Sequence, residues 1–263
     1  MTASPARRLF SAAALACGLG LPLHALAELS NDSLLGPGLR WRPAYDGSAS
    51  QRVELVPVVR YFGEHWFVRS TQGVAEAGPR MELAPGLHAA AQLAYESGRR
   101  ASESDFLRNH SVSDIGRGAS IGAQLEWDTK IGPAPITLLG RVRQHTRSSQ
   151  GGQADLRLSV GAARYGRFSA GVFTQGTWAN ARSTNSFYGI TPEQSAVTGL
   201  PAYSAGSGLL FGSVGLLWSV HLAPKWVVVG NLELRHLYGD AARSPLTERS
   251  TSRYASAGVA YRF

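Results

Sequence analysis

The sequence is almost without cysteine: Cys17 is the single copy in 263 residues. It falls in a segment read below as removed on export. The mature chain therefore carries no disulfide, no thiol nucleophile and no cysteine metal site. An oxidising compartment is tolerated without being used for stapling. Long apolar runs are missing too. After Glu28 none approaches the ~18 residues that a transmembrane helix needs, and mean hydropathy is only −0.10. Clustered charge is absent as well. The net charge of +8 comes almost wholly from arginines scattered along the chain, which speaks against nucleic acid as a partner. Arginines at a membrane surface could instead grip lipid phosphates bidentately; a codon bias toward arginine is the plainer account. Hydrophobic residues make up 44% and aromatics 9%, too much for a disordered chain. A sheet with one face to lipid and one to a polar interior gives this middling average.

Residues 1–27 read as a signal peptide. Arg7 and Arg8 form the positive start, Leu9 to Leu23 the apolar stretch, and Ala25-Leu26-Ala27 a small-x-small cleavage site. Pro22 interrupts the apolar stretch, which is too short to span a membrane comfortably. Cleavage there makes Glu28 the mature N-terminus and leaves one unit, residues 28–263. A lipoprotein reading through Ala14-Leu15-Ala16-Cys17 places the leucine one position from where lipidation wants it.

The mature chain alternates with period two almost throughout. Between Lys225 and Gly239, Trp226, Val228, Gly230, Leu232, Leu234 and Tyr238 share one face, and Asn231, Glu233 and Arg235 the other. Strands of soluble sandwiches usually run about 5 to 6 residues, and this one runs well past that. Trp226 and Tyr238 would stand roughly 30 Å apart along the membrane normal, which suits two aromatic girdles flanking an apolar band. About twelve strands follow, near 38–45, 52–61, 65–71, 75–83, 86–96, 118–128, 134–146, 153–164, 167–178, 208–222, 225–239 and 251–263. Pro57 and Pro79 demote two of them or mark bulges.

The connections alternate. Links at Gly63-Glu64, Ala84-Pro85, Gly132-Pro133, Gly166 and Ala223-Pro224-Lys225 are tight, whereas 97–117, 147–152, 179–207 and 240–250 are long. Outer-membrane barrels have short periplasmic turns and longer outer loops. The fold expected is therefore all-β: a transmembrane antiparallel up-and-down β-barrel of about 12 strands, in the outer membrane of a Gram-negative cell. Tyr261 and Phe263 share a face at the C-terminus and look like the aromatic signal read by the barrel assembly machinery.

Phe187-Tyr188-Gly189-Ile190-Thr191-Pro192-Glu193-Gln194-Ser195, running on through Thr198-Gly199-Leu200-Pro201-Ala202-Tyr203, resembles the MipA/OmpV family of outer-membrane proteins. Arg42 to Ser48, Leu55 to Tyr61, and Gly239 to Ala242 with Ser244-Pro245 match further family stretches. Phe187 and Thr198 replace the family's usual Tyr and Ser. The resemblance implies a monomeric barrel. It also implies a scaffold that joins a membrane-bound lytic transglycosylase to a bifunctional penicillin-binding protein in peptidoglycan synthesis, with no recognised catalytic residues. Read physically, Thr191-Pro192-Glu193-Gln194 is a helix start with a capping box, and Gly199 a helix stop. Residues 192–198 should thus be one or two turns of helix in the longest outer loop, either a lid or a plug folded into the barrel mouth, or a packed loop covering strand ends.

Candidate chemistry is sparse. A rim hydrolase would need Ser, His and an acid at one depth. His145, His221 and His236 do not gather with Ser213 and Ser219; His236 with Asp240 and Ser244 comes nearest. The seven histidines show no metal-ligand spacing, and nothing points to a cofactor. By parity Glu54, Arg60, Glu96, Glu126, Asp128, Arg141, Arg143, Asp155, Arg157, Glu233 and Arg235 face inward. They either line a pore or pair across strands and fill it; mixed signs favour filling. The reading is a non-enzymatic scaffold contacting outer-membrane lipid, lipopolysaccharide and peptidoglycan enzymes. The alternative is a small-solute channel or binding barrel.

Overall fold

The computed structural model describes residues 33–71, 73–96 and 98–263; the segment read as a signal peptide lies outside them. Twelve strands follow one another: β1 (Leu34–Pro43), β2 (Gln51–Phe62), β3 (Trp66–Thr71), β4 (Val74–Ala84), β5 (Leu87–Glu96), β6 (Gly118–Ile131), β7 (Ala134–His145), β8 (Gly152–Tyr165), β9 (Phe168–Ala179), β10 (Gly208–Ala223), β11 (Trp226–Leu237) and β12 (Thr251–Arg262). Each pairs antiparallel with its chain neighbours, and β1 pairs with β12 to close the barrel. Closure joins the first strand to the last and so removes the free edges of an open sheet; the shortest seam is β2–β3, where only Arg60–Phe62 pair with Phe67–Arg69.

Two details differ from the reading of the sequence. β1 begins at Leu34 rather than near residue 38 and is paired on both sides. Pro57 and Pro79 neither demote their strands nor create a bulge. Pro57 stands opposite Pro37 in an unbroken β1–β2 register. Pro79 lies opposite Trp66, the first residue of the short β3. Each proline sits where the missing N–H costs the ladder little.

The alternation separates two environments. Outward positions carry Leu55, Leu93, Ile121, Leu125, Leu156, Val214 and Leu232, all exposed on the isolated barrel. Such a continuous apolar surface is stable only against lipid. Exposed aromatics mark its two edges. Trp41, Tyr95, Trp178 and Tyr238 lie at one end, and Trp66, Tyr165, Phe168 and Trp226 at the other. No described helix is long and apolar enough to cross a membrane; the strands do the crossing.

The two ends of the barrel are unlike. One has only tight turns. The other carries most of the long connections, with α1 (Asp105–Asn109), α2 (Ala181–Tyr188), α3 (Pro192–Thr198) and α4 (Gly239–Arg243). Soluble-type apolar cores form at this long-loop end. Ala44, Tyr45, Leu107, Val112, Ile190 and Leu246 make one. Ala179, Tyr188, Leu210, Phe211, Leu237 and Ala241 make the other. A smaller cluster of Leu34, Val227 and Ala260 lies near the short-turn end.

Candidate functional site

The interior is crossed by ion pairs. Arg69 on β3 donates Nε to Glu76 Oε2 at 2.9 Å, Nη1 to Glu126 Oε2 at 2.9 Å and Nη2 to Gln124 Oε1 at 2.7 Å. Arg141 on β7 donates Nε to Asp155 Oδ2 at 2.8 Å and Nη1 to Glu76 Oε1. Arg143 pairs with Glu96 at 3.2 Å and with Asp155 at 3.2 Å. Asp155 also accepts from Thr177 Oγ1 at 2.7 Å. Some of these contacts join ladder neighbours, as Arg69–Glu76 and Arg141–Asp155 do. Arg69 to Glu126 and Gln124 (β3 to β6), Arg141 to Glu76 (β7 to β4) and Arg143 to Glu96 (β7 to β5) skip strands and bridge the lumen as chords. The side chains of Glu76, Arg141 and Asp155 are 1%, 5% and 2% exposed. Buried charges of this kind persist only when fully paired.

A second set lies toward the long loops. Glu54 gathers Arg42 at 2.7 Å, Arg40 at 3.7 Å and Arg52. Arg52 also reaches Glu103 in the 97–117 loop. Arg235 on β11 binds Glu233 Oε1 through Nε and Nη2, at 3.0 and 2.9 Å, and Asp46 Oδ2 through Nη1 at 2.7 Å. Its guanidinium lies 4.1 Å from the Phe211 ring centre and 4.4 Å from that of Tyr254. Arg157 sits over Phe173 at 3.9 Å, with a long 3.4 Å contact to Ser159 Oγ. At the other end of the lumen, near the tight Gly132-Pro133 turn, Asp128 accepts from Thr137 Oγ1 at 2.6 Å. Asp128 thus meets a hydroxyl and Arg157 an aromatic face, while Glu126, Arg141, Arg143, Asp155, Glu233 and Arg235 are engaged in ion pairs.

Above this set the loops form a packed cap. Asp46 takes a hydrogen bond from the Tyr254 hydroxyl at 2.5 Å as well as from Arg235. Burial disfavours its charge. Arg235, the Tyr254 hydroxyl and Arg42 outweigh that and hold the carboxyl below the ordinary carboxylate range. The Tyr45 hydroxyl donates to Leu246 O at 2.9 Å, and burial beside Glu248 raises its pKa. Glu248 Oε2 receives the Ser48 hydroxyl and the Ala49 N–H, so the 44–50 and 238–250 loops are stitched together.

The three side chains of the nearest hydrolase arrangement go to different partners. His236 Nδ1 meets Thr251 Oγ1 at 2.7 Å, Asp240 takes the Gly206 N–H at 2.6 Å, and the Ser244 hydroxyl donates to Tyr188 O at 2.6 Å. Among the described residues no group of three or more His, Cys, Asp or Glu gathers in a metal-binding arrangement.

A family model described as MltA-interacting protein MipA matches residues 35–263. The chain belongs to the MipA family. No curated protein sequence matches it significantly. Solved outer-membrane structures resemble it at low identity. The NanC porin shares 11% identity at a TM-score of 0.47, over 87% of this chain and 100% of that one. LpxR from Salmonella typhimurium shares 9% at 0.47, over 88% and 100%. An outer-membrane channel from Pseudomonas putida F1 shares 8% at 0.44, over 92% and 99%. The barrel and its outer-membrane location follow from the family and from the strands described above.

The stretch that carries the MipA resemblance, 187–203, is built into the cap. Phe187 O accepts from Arg99 Nη1 at 2.6 Å, tying the stretch to the 97–117 loop. Tyr188 is buried among Leu210, Phe211 and Leu237, and burial pushes its hydroxyl pKa well up. Gly189 follows as the C-cap of α2. Ile190 and Tyr203 form a two-bond bridge, each 2.8 Å, and Tyr203 donates to Asp240 O at 2.9 Å. α3 stands between them with the expected ends. Thr191 caps it, Gln194 closes the capping box, Pro192 opens it, and Gly199 ends it at φ +69°. Leu200 O accepts the Ser195 hydroxyl at 2.7 Å, while Glu193 and Pro201 are exposed. Sequence reading missed α1, α2 and α4; the Asn180 cap, which accepts from Ser183 N at 2.9 Å, was the available signal for α2. At the C-terminus Tyr261 packs edge-on against Trp226 at 5.4 Å, and Phe263 is exposed.

Proposed function

We propose that this MipA-family barrel works by contact and not by conduction or catalysis. It anchors peptidoglycan enzymes at the inner surface of the outer membrane. The observation that carries this reading is the interior. Chords such as Glu76–Arg141 and Arg69–Glu126 occupy the space a hydrated solute would need, and the stitched loops roof it. Opening such a path means breaking several buried, fully paired charges at once. The family's own description names an interaction with MltA. By the resemblance, the partners are a membrane-bound lytic transglycosylase and a bifunctional penicillin-binding protein. Their contact surface would be the short-turn end of the barrel, which in this reading faces the cell wall.

The test is recovery of partners on the full-length, affinity-tagged barrel from detergent-solubilised envelopes. Retention of a lytic transglycosylase and a penicillin-binding protein is expected; recovery of neither overturns the scaffold. Planar-bilayer recording decides the alternative. Silence is expected, and steady conductance makes the protein a small-solute channel instead.

A further inference from the structure

We propose that the outward face over β4 to β8 holds one phosphorylated, multiply acylated glycolipid of the outer leaflet, of the lipid A type. Its phosphates would rest on Arg117, Arg147 and Arg182, with its acyl chains in the groove beneath. The site is independent of the scaffold reading and needs only the barrel in its membrane.

Two adjoining depressions, of about 940 and 760 Å³, indent the otherwise bulky lipid-facing surface there. They follow one paired row around the barrel. Ala91 pairs with Ala123, Ala123 with Val142, Val142 with Ala154, and Ala154 with Trp178. Small side chains form the floor of the row, and Trp66 and Trp178 stand near its two ends. On the opposite wall the outward positions Val214, Leu232, Leu234 and Val259 are large, and although Ala255 and Ala257 are small, Trp218 covers the neighbouring Gly230.

The head of the site lies directly above. Ala123, Ile121 and Ala119 form one outward file on β6, and Arg117 continues it beyond the strand. Six residues span ~20 Å of strand, and at ~40° tilt ~15 Å along the membrane normal. That is about the depth of one leaflet, so a chain whose head is at Arg117 ends in the groove. Arg147 leans toward the same point: its Nη1 lies 2.6 Å from where a Cβ on the neighbouring Gly116 would stand. Arg182, in the first turn of α2, covers Gly151 beside the start of β8, its Cβ 2.9 Å from the corresponding point. All three arginines are exposed, and none forms an ion pair among the described residues. In this they differ from Arg69, Arg141, Arg143 and Arg235 of the interior. Guanidinium groups grip phosphate bidentately, and exposed arginines at the ends of the strands above an apolar groove match an anionic lipid in both halves.

The experiment is native mass spectrometry of the full-length barrel in detergent. The probes are bisphosphorylated lipid A, its dephosphorylated form and phosphatidylethanolamine. One lipid A should be retained per barrel, in preference to phosphatidylethanolamine. Arg117→Ala/Arg147→Ala/Arg182→Ala should weaken the bisphosphorylated probe by about tenfold or more, leaving the dephosphorylated one unchanged. Ala123→Phe/Ala154→Phe should weaken both, and Val259→Phe on the opposite wall neither. The triple arginine change touches only exposed side chains and keeps the proposal falsifiable if the groove variant fails to fold. Equal retention by wild type and triple variant overturns it. So does equal retention of lipid A and phosphatidylethanolamine, or a dimer that the groove variant abolishes, since the occupant is then a second copy.

Discussion

Arg235 Nη1 donates to Asp46 Oδ2 at 2.7 Å, a contact that joins β11 to a loop 189 positions earlier in the chain. The pair is the hinge between barrel and cap. The same guanidinium holds Glu233 in the lumen while the same carboxylate takes the Tyr254 hydroxyl.

Asp46→Ala should therefore loosen the cap and leave the barrel closed. Arg235 keeps Glu233, so the guanidinium retains one carboxylate. Asp46 is a third exposed, which reduces the cost to about 1 to 2 kcal/mol. Hydrogen exchange should rise in 44–50 and 238–250 and stay unchanged in the strands. Uniform loss of protection would show that the pair holds the barrel and not its roof.

Acid should have the same effect on the wild type. The Asp46 pKa in the folded protein lies below the ordinary value. Its contribution is thus complete above the unfolded value of about 3.9 and lost as pH falls through the lower folded one. The exchange protection factor of the 44–50 loop, with the intrinsic pH dependence of exchange divided out, should be flat from pH 8 to about 5 and fall below about pH 4, and Asp46→Asn should abolish that step. An acid step of equal size in the Asn variant refutes the assignment.

The barrel was legible in the sequence because its cause is local. Inward Glu233 and Arg235 and outward Leu232 and Leu234 declare the face of β11 without reference to any other strand. The chords were not legible. Parity put Arg141 inside but could not say whether it lined water or met Glu76 65 positions away, because that depends on barrel diameter and stagger. The cap was half legible. α3 announced itself through Thr191, Pro192 and Gly199. The role of Tyr188 was hidden, because its neighbours Leu210 and Leu237 come from strands far along the chain.

Glu76 tests whether the lumen is filled for stability. It lies 1% exposed between Arg69 and Arg141. Glu76→Ala leaves two guanidinium groups short of a partner and should cost about 3 to 5 kcal/mol. Tryptophan fluorescence in a urea titration would measure it. A cost below ~1 kcal/mol would mean that water reaches these arginines, and with it the case for a solute path would revive.

Thr191→Ala removes the hydroxyl that accepts Gln194 N at 3.2 Å and should cost about 1 kcal/mol locally. α3 buries no residue of its own. Fraying should therefore stay within 191–199, visible by exchange, with the urea midpoint unmoved. A shift in that midpoint would make α3 part of the cooperative barrel.

Closure of the barrel makes the sharpest demand on a single position. At the β1–β12 seam a Cβ on Gly36 would stand 2.0 Å from Val259 O. A side chain there cannot be accommodated by rotamer changes, since the obstacle is backbone. Gly36→Val should separate Leu34 and Leu35 from their partners Arg262 and Tyr261 and expose unpaired ladder groups to lipid, at a cost of several kcal/mol for each group. In gel electrophoresis without heating, the variant should lose the compact, fast-migrating species. Gly140→Ala is the matched control. It lies within β7 with nothing within 4 Å of its Cβ position, so it should fold like the wild type. If Gly36→Val also closes normally, β1 and β12 are not joined as described, and the first strand lies elsewhere.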